Sequence, residues 1–358
     1  MPLTYFQPSQ VDSSFNGYLR NRIINGAMMI DQRYAGASVA TSSGTGTYSV
    51  DRWQLVYDQT SKFTAQQNSG GVTPPAGFTN YLGAVSSSAY TVGASETFNI
   101  RQFIEGFNTA DLAWGTASAS TVTLSFWVRS SLTGTFGGAI SGYSNTNSYP
   151  FTYTINGANT WEYKTVQIPG PTSGTWNTTN SGGIGVIFSL GTGSTLSGTA
   201  GAWSSSRYWS ATGATSVVGT NGATLYITGV QLEDGAVATP FERRMYPQEL
   251  AFCQRYCFVG LSDVFTNGVG ATATIIWAHT SFKQTMRAAP SVTVSGTIQF
   301  SDDATADYTN ASPTIGASSL VADGGRVRID GWSGLTQYRS YNGVSTVNLG
   351  KFTFSAEL

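Results

Sequence analysis

Charge is scarce in this 358-residue chain. Asp, Glu, Lys and Arg make up 10% of it, against about 25% in ordinary globular domains. The 18 basic and 19 acidic residues leave a net charge of −1, so no excess of either sign points to nucleic acid or to an anionic lipid surface. Histidine is nearly absent: His279 is the single one, and every Ser-His-Asp or Cys-His constellation would have to use it. It lies in Trp277-Ala278-His279-Thr280-Ser281 without nucleophile-elbow glycines, which reads as a strand-surface or interface residue. The two cysteines, Cys253 and Cys257, cannot build a Cys/His zinc site with one histidine, and their i, i+4 spacing is poor for a disulfide. They read as packing residues. No run of about 18 apolar residues exists to cross a membrane as a helix, and no even series of lipid-facing strands with aromatic girdles suggests a membrane barrel. The opening Met1-Pro2-Leu3-Thr4-Tyr5-Phe6-Gln7 lacks the basic start and apolar core of a secretory signal.

What the chain does have is glycine, 42 residues, and aromatics, 13% of the total. That mixture suits many short strands joined by tight turns and disfavours helices. An uncharged surface on a chain made in a reducing compartment fits an assembled structural protein. Val122, Leu124, Phe126 and Val128 alternate with Thr121, Thr123, Ser125 and Trp127, one apolar face against one mostly hydroxylic face. Tyr149 to Ile155, Trp161 to Ile168 and Ile184 to Leu190 repeat the pattern, the first two joined by an Asn156-Gly157 turn. Leu225 and Ile227 change phase to Val230 and Leu232 at Gly229, which predicts a β-bulge. A Ser/Gly-rich stretch from Gly191 to Ser206 is a long loop whose Trp203, with Tyr208 and Trp209 after it, predicts that it is packed down.

Pro247 followed by Glu249 predicts a short helix near 245–257, with Phe252 and Tyr256 sharing one face. Beyond it the strands resume: Val292 and Val294 before Gly296, then Ile298 and Phe300, then Val327 and Ile329. Val347 and Leu349 give way to Phe352 and Phe354 at Gly350. Asp323-Gly324-Gly325 and Asn342-Gly343 read as hairpin turns. The expected fold is all-β: an antiparallel β-sandwich over 23–244, a linker helix at 245–257 and a smaller C-terminal β-sandwich over 258–358. Residues 1–22 precede these as an arm. Phe6, Phe15 and Tyr18 are large apolar groups that a purely solvated tail does not need, so the arm is read as ordering on a partner.

Several motifs occur in order. Asn21-Arg22-Ile23-Ile24-Asn25-Gly26 runs through Ile30 to Gln32-Arg33, and Asp51-Arg52-Trp53 follows. Further on come Ile104-Glu105-Gly106, Val122 to Ser130, Tyr226 to Glu233, Ala238 to Arg244 and Cys253-Gln254-Arg255-Tyr256. Over residues 21–257 the chain resembles a phage tail-fibre and virion structural family. The segment Phe282 to Val294 is similar, more loosely, to a strand pair of phage fibre tips. The resemblance implies a carbohydrate-binding-like jelly roll in a homotrimeric fibre of the virion, held to other virion proteins by its N-terminal arm and binding a host-surface glycan. It implies no nucleic-acid partner and no membrane insertion, and it supplies no catalytic residue and no cofactor. A capsid decoration or head-fibre protein and a polysaccharide depolymerase are the alternatives. Within the motifs, Asn25-Gly26 reads as a tight turn, Trp53 as core with Asp51 and Arg52 pairing nearby, and Glu233 as a carboxylate that satisfies backbone at the sandwich edge.

Aromatics beyond what a core needs suit sugar stacking, because sugars present apolar C–H faces and hydroxyl edges. Trp176, Trp203, Trp209, Trp332, Tyr338 and Tyr341 fall in expected loops. Trp332, Tyr338, Arg339 and Tyr341, close together on a Gly-rich stretch, are the expected receptor contact. Asp302, Asp303 and Asp307 cluster in a loop as a weak candidate calcium site; a solvated loop is the commoner outcome. Gly191-Thr192-Gly193 begins like a dinucleotide loop, but Leu196 stands where the third glycine belongs.

Overall fold

The computed structural model describes residues 20–41, 46–144, 147–302, 307–344 and 350–358. Its first 200 or so described residues form two six-stranded antiparallel sheets. In spatial order the first sheet is Val39–Ala40, Phe63–Gln67, Leu82–Ser86, Thr224–Asp234, Val122–Ser130 and Glu162–Ile168. The second is Thr47–Tyr48, Gln54–Tyr57, Thr97–Glu105, Gly182–Thr192, Gly134–Gly142 and Ser148–Ile155. The non-sequential order within each sheet makes this a jelly-roll sandwich. Strand alternation decides the interior: Val122, Leu124, Phe126 and Val128 are fully buried and face Phe98, Ile100, Val186 and Phe188 from the other sheet. Trp53 lies in the same core, as expected.

The bulge at Gly229 is present. Thr224–Asp234 changes register against Val122–Ser130 between Thr228 and Gln231, and Gly229 has φ +60°. Just past the bulge the end of the leader attaches. Arg22 N donates to Leu232 O at 2.9 Å, Val230 N donates to Gly26 O at 3.0 Å, and Asn21 Nδ2 donates to Val230 O at 3.1 Å. Gly26 has no room for a side chain, since a Cβ there would lie 2.1 Å from Val230 O. Asn25 sits in the turn and holds it by side-chain bonds to Ile30 O and Asp51 O, while its own carbonyl accepts from Trp53 Nε1 at 3.1 Å. Glu233 accepts from Thr239 N at 2.8 Å and Thr239 Oγ1 at 2.6 Å, the backbone role read for it.

The helix spans Tyr246–Gln254 with Pro247 in its first turn. It stops before Tyr256, so Phe252 and Tyr256 do not share its face. Phe252 stays half-buried, whereas Tyr256 is buried and donates from its hydroxyl to Glu105 Oε2 at 2.7 Å. Cys253 and Cys257 are buried free thiols.

After the helix a second hydrophobic cluster forms between two sheets. One is Cys257–Gly260, Lys351–Ser355 and Ser291–Ser295. The other runs Asp307–Asn310, Ile298–Ser301, Ser340–Gly343, Phe265–Thr272, Ile275–Ser281, Gly324–Asp330 and Thr314–Ile315, with Ser319–Val321 also paired to Gly324–Asp330. Phe265, Phe300, Val327, Ile329, Phe352 and Phe354 fill the space between. Asp323-Gly324-Gly325 does turn a hairpin, between Ser319–Val321 and Gly324–Asp330. Asn342-Gly343 does not: both residues are in a strand, opposite Ser301 and Phe300. The expected strand residues Val347 and Leu349 lie outside the described residues, as do residues 1–19 of the arm.

Candidate functional site

The aromatic contact expected in the C-terminal unit divides between inside and outside. Trp332 and Tyr341 are interior. Trp332 meets Phe300 edge-on at 5.5 Å, and Tyr341 meets Tyr308 edge-on at 5.3 Å while its hydroxyl accepts from Thr336 N at 2.7 Å. Neither presents a ring to solvent, so they are not a stacking platform: Tyr341 is turned towards the apolar cluster by the pairing of Ser340–Gly343, and Trp332 packs into the same cluster from the loop after Gly324–Asp330. Tyr338 alone stands out, 81% exposed, and Arg339 pairs with Asp302 at 3.2 Å. That pairing also corrects the acidic cluster. Asp302 is buried against Arg339 and Tyr308 instead of open to a cation, Asp307 faces solvent on Asp307–Asn310, and Asp303 lies outside the described residues. His279 is exposed on Ile275–Ser281, opposite Asn267 and Arg326, without a carboxylate among those cross-strand neighbours.

Trp176 and Trp203 pack with Trp114 at 4.8–5.5 Å ring separations. All three indole N–H groups donate to nearby backbone carbonyls, of Ser173, Pro169 and Ser120. They hold down the loops at one edge of the sandwich.

Trp209 is different. Its loop lies over the outer face of the second sheet, where Trp209 packs on Val56, Ala139 and Ile187. Ser148 pins that loop. Its backbone exchanges 2.9 Å bonds with Ser204, and its hydroxyl donates to Ser206 O at 2.7 Å and accepts from Tyr208 N at 3.1 Å. Between the pinned residues, Arg207 is exposed, with its guanidinium carbon 4.7 Å from the Trp209 ring centroid. From the sheet itself, Arg101 reaches the same ring at 4.9 Å and the Phe103 ring at 4.7 Å. Arg101 and Phe103 share the outward phase of Thr97–Glu105, the phase opposite to Ile100 and Ile104 in the core.

Tyr143 completes the face. Its ring meets Phe103 edge-on at 4.9 Å and leans on bare backbone at Gly182, where a Cβ would lie 2.2 Å from Tyr143 Cδ2. Its remaining surface is open, 37% exposed. Arg101 Nε donates to Gln54 Oε1 at 2.6 Å; burial, together with the charge of Arg207, pushes its guanidinium down to about 10. Ser141, Ile187, Arg207, Tyr208 and Trp209 line a crevice too tight to admit a water molecule, and Ser141 Oγ and Trp209 Nε1 are buried in it without a hydrogen-bond partner among the described residues. An open aromatic ring beside guanidinium groups is a surface for a ring with hydroxyl edges.

Of this face, the sequence reading singled out Trp209 only. Arg101, Phe103 and Tyr143 had one available signal: the outward phase of Phe103 and Arg101 on a strand whose other phase is core.

A second concavity of about 510 Å³ lies at the root of the leader, with Arg22, Phe107, Asp111, Arg244 and Phe252 in its wall. Its charges are already committed. Arg22 pairs with Asp111, and Arg244 donates to Asn21 O and Ile23 O.

No family model matches the chain, and no curated protein matches it, so the motif likeness of residues 21–257 stands on the residues alone. Solved structures similar to the chain include the enzymatically active domain of bacteriophage CBA120 tailspike protein 4, 13% identical over 60% of this chain and 21% of that one, with a TM-score of 0.33. A putative sugar binding protein from Bacteroides thetaiotaomicron is 11% identical over 60% of this chain and all of its own, TM-score 0.35. The family 11 carbohydrate-binding module of a Clostridium thermocellum cellulosomal cellulase is 11% identical over 58% of this chain and 99% of its own, TM-score 0.27. The chain spans about a fifth of the tailspike domain's length. At these identities and scores no residue role carries over from any of them.

Proposed function

We propose that this chain is a non-enzymatic structural protein of a phage particle, a homotrimeric tail fibre that holds a host-surface glycan on the outer face of its second sheet. The observation that carries the glycan reading is the Tyr143–Phe103–Arg101–Trp209–Arg207 face: one half-open ring and two guanidinium groups on a neighbouring indole. The particle and the trimer rest on the motif resemblance of residues 21–257. In this reading residues 1–22 dock to the particle, the jelly roll over 23–244 carries the ligand face, 245–257 link, and 258–358 form the distal unit.

The test is glycan binding by the full chain. Tyr143→Ala removes the open ring and costs about fivefold to tenfold in affinity, equivalent to ~1–1.5 kcal/mol, with the thermal midpoint nearly unchanged. Binding that survives Tyr143→Ala intact places the ligand elsewhere, and no binding to any host-surface glycan overturns the reading. Locating the protein in intact particles by cryo-EM separates a tail fibre from a capsid decoration protein.

A further inference from the structure

We propose that the sugar held on this face is acidic: a saccharide carboxylate seats against the Arg101 and Arg207 guanidinium groups while its ring lies on Tyr143. This rests on the reading of the face as a glycan site and adds the class of sugar.

Arg33 and Arg52 sit on Glu357, Arg255 on Glu105, Arg22 on Asp111, and Arg339 on Asp302. Arg129, Arg243 and Arg326 meet no carboxylate among the described residues and rest on aromatic rings, each on its own; Arg101 and Arg207 differ in sharing one ring. A guanidinium withdrawn from water costs free energy unless an anion or a set of acceptors replaces the water. Arg101 is half-buried, and its one hydrogen bond among the described residues is Nε to the neutral Gln54. Arg207 has no hydrogen-bond acceptor or ion-pair partner among them; its contact is the Trp209 ring. Both cations lie against one indole, so they repel each other, and that repulsion adds to burial in lowering Arg101. No Asp or Glu lines the crevice. The fold has therefore gathered two like charges on a rigid aromatic support and left them without a counter-ion.

Guanidinium forks match a carboxylate in geometry as well as charge. A neutral sugar would leave the repulsion in place; an anion between the two would cancel it. The net charge of the chain is −1, so the feature is a local one and not part of a general coating for polyanions.

The experiment uses matched pairs on the full chain: oligogalacturonate against its carboxyl-reduced neutral form, 3′-sialyllactose against lactose, and glucose 6-phosphate as a phosphate arm. Titration should show an acidic member binding about tenfold or more tightly than its neutral twin, with the gap shrinking as salt is raised. Arg207 is exposed, so Arg207→Gln keeps the fold, which its thermal midpoint checks; it and Arg101→Gln should each close most of the gap. Equal binding of both members, with Arg207→Gln silent, overturns the acidic class, while continued loss in Tyr143→Ala leaves the glycan face standing. Binding of the sugar phosphate without either carboxylate also overturns it. Failure of every saccharide, acidic and neutral, overturns the glycan reading together with it.

Discussion

Arg52 donates to the carboxylate of Glu357, joining the jelly roll to the second-last residue of the chain. Arg52 is buried, with its guanidinium carbon 3.6 Å from the Tyr256 ring centroid and Nη2 donating to Phe103 O at 2.6 Å. Glu357 also takes Arg33 at 3.1 Å, and Tyr48 donates from its hydroxyl to Leu358 O at 2.9 Å. Removing one partner of a buried pair strands the other charge, at about 3–5 kcal/mol. Glu357→Gln should lower the urea midpoint accordingly. A loss no larger than that of an exposed control substitution would mean that water reaches Arg52 readily.

Asp51 gives stability a pH dependence. It accepts from both the backbone and side chain of Gln32, with Arg33 3.6 Å away. Burial raises it from 3.8 to about 7, against the pull of Arg33. The folded chain therefore binds this proton more tightly than the unfolded one. Its contribution is complete below pH about 4 and declines as the pH rises through about 7. Asp51→Asn should flatten the stability curve across that window, whatever its uniform cost. Parallel curves for the two proteins would assign the slope to another group.

Trp332→Ala tests the interior placement of that ring. Loss of a buried Trp costs about 3–5 kcal/mol through lost contacts and the cavity left behind. Tyr338→Ala, at an exposed position, should stay within about 0.5 kcal/mol of the parent. Chemical denaturation of the pair gives the answer. Similar midpoints for both variants would put Trp332 at the surface.

Gly229→Ala tests the bulge. The backbone there is left-handed at φ +60°, and a Cβ would lie 2.6 Å from Phe78 Cζ. Strain and overpacking together should cost roughly 2–4 kcal/mol. Since Val230 and Leu232 beside the bulge bond Gly26 and Arg22, amide exchange at Arg22 and Val230 should quicken too. Unchanged exchange there would separate the bulge from the attachment of the leader.

The strands of the sandwich were legible because each carries its own evidence. Val122 to Val128 alternate within one segment, and the phase change at Gly229 is visible in four neighbouring side chains. The start of the helix was legible from Pro247, but not its end, because nothing local stops it before Tyr256; burial of that ring against Glu105 and Arg52 does. Trp332 and Tyr341 misled for the opposite reason. A Gly-rich stretch looks like a loop, and only pairing against Phe265–Thr272 and Ile298–Ser301 shows that Tyr341 points inward.

Composition and alternation by themselves determined the all-β class, the sandwich and the bulge, since a period-2 apolar face has to be buried against another of its kind; the interior place of Trp53 was read from the motif it sits in. Which charges meet was decided by tertiary structure alone. Arg52 and Glu357 are separated by almost the whole chain, and Arg101 and Arg207 come from a strand and a distant loop that Ser148 fastens over it. An arginine's residue type does not say whether the fold will bring it a carboxylate. At Arg52 it does, and at Arg101 and Arg207 it brings the Trp209 ring instead.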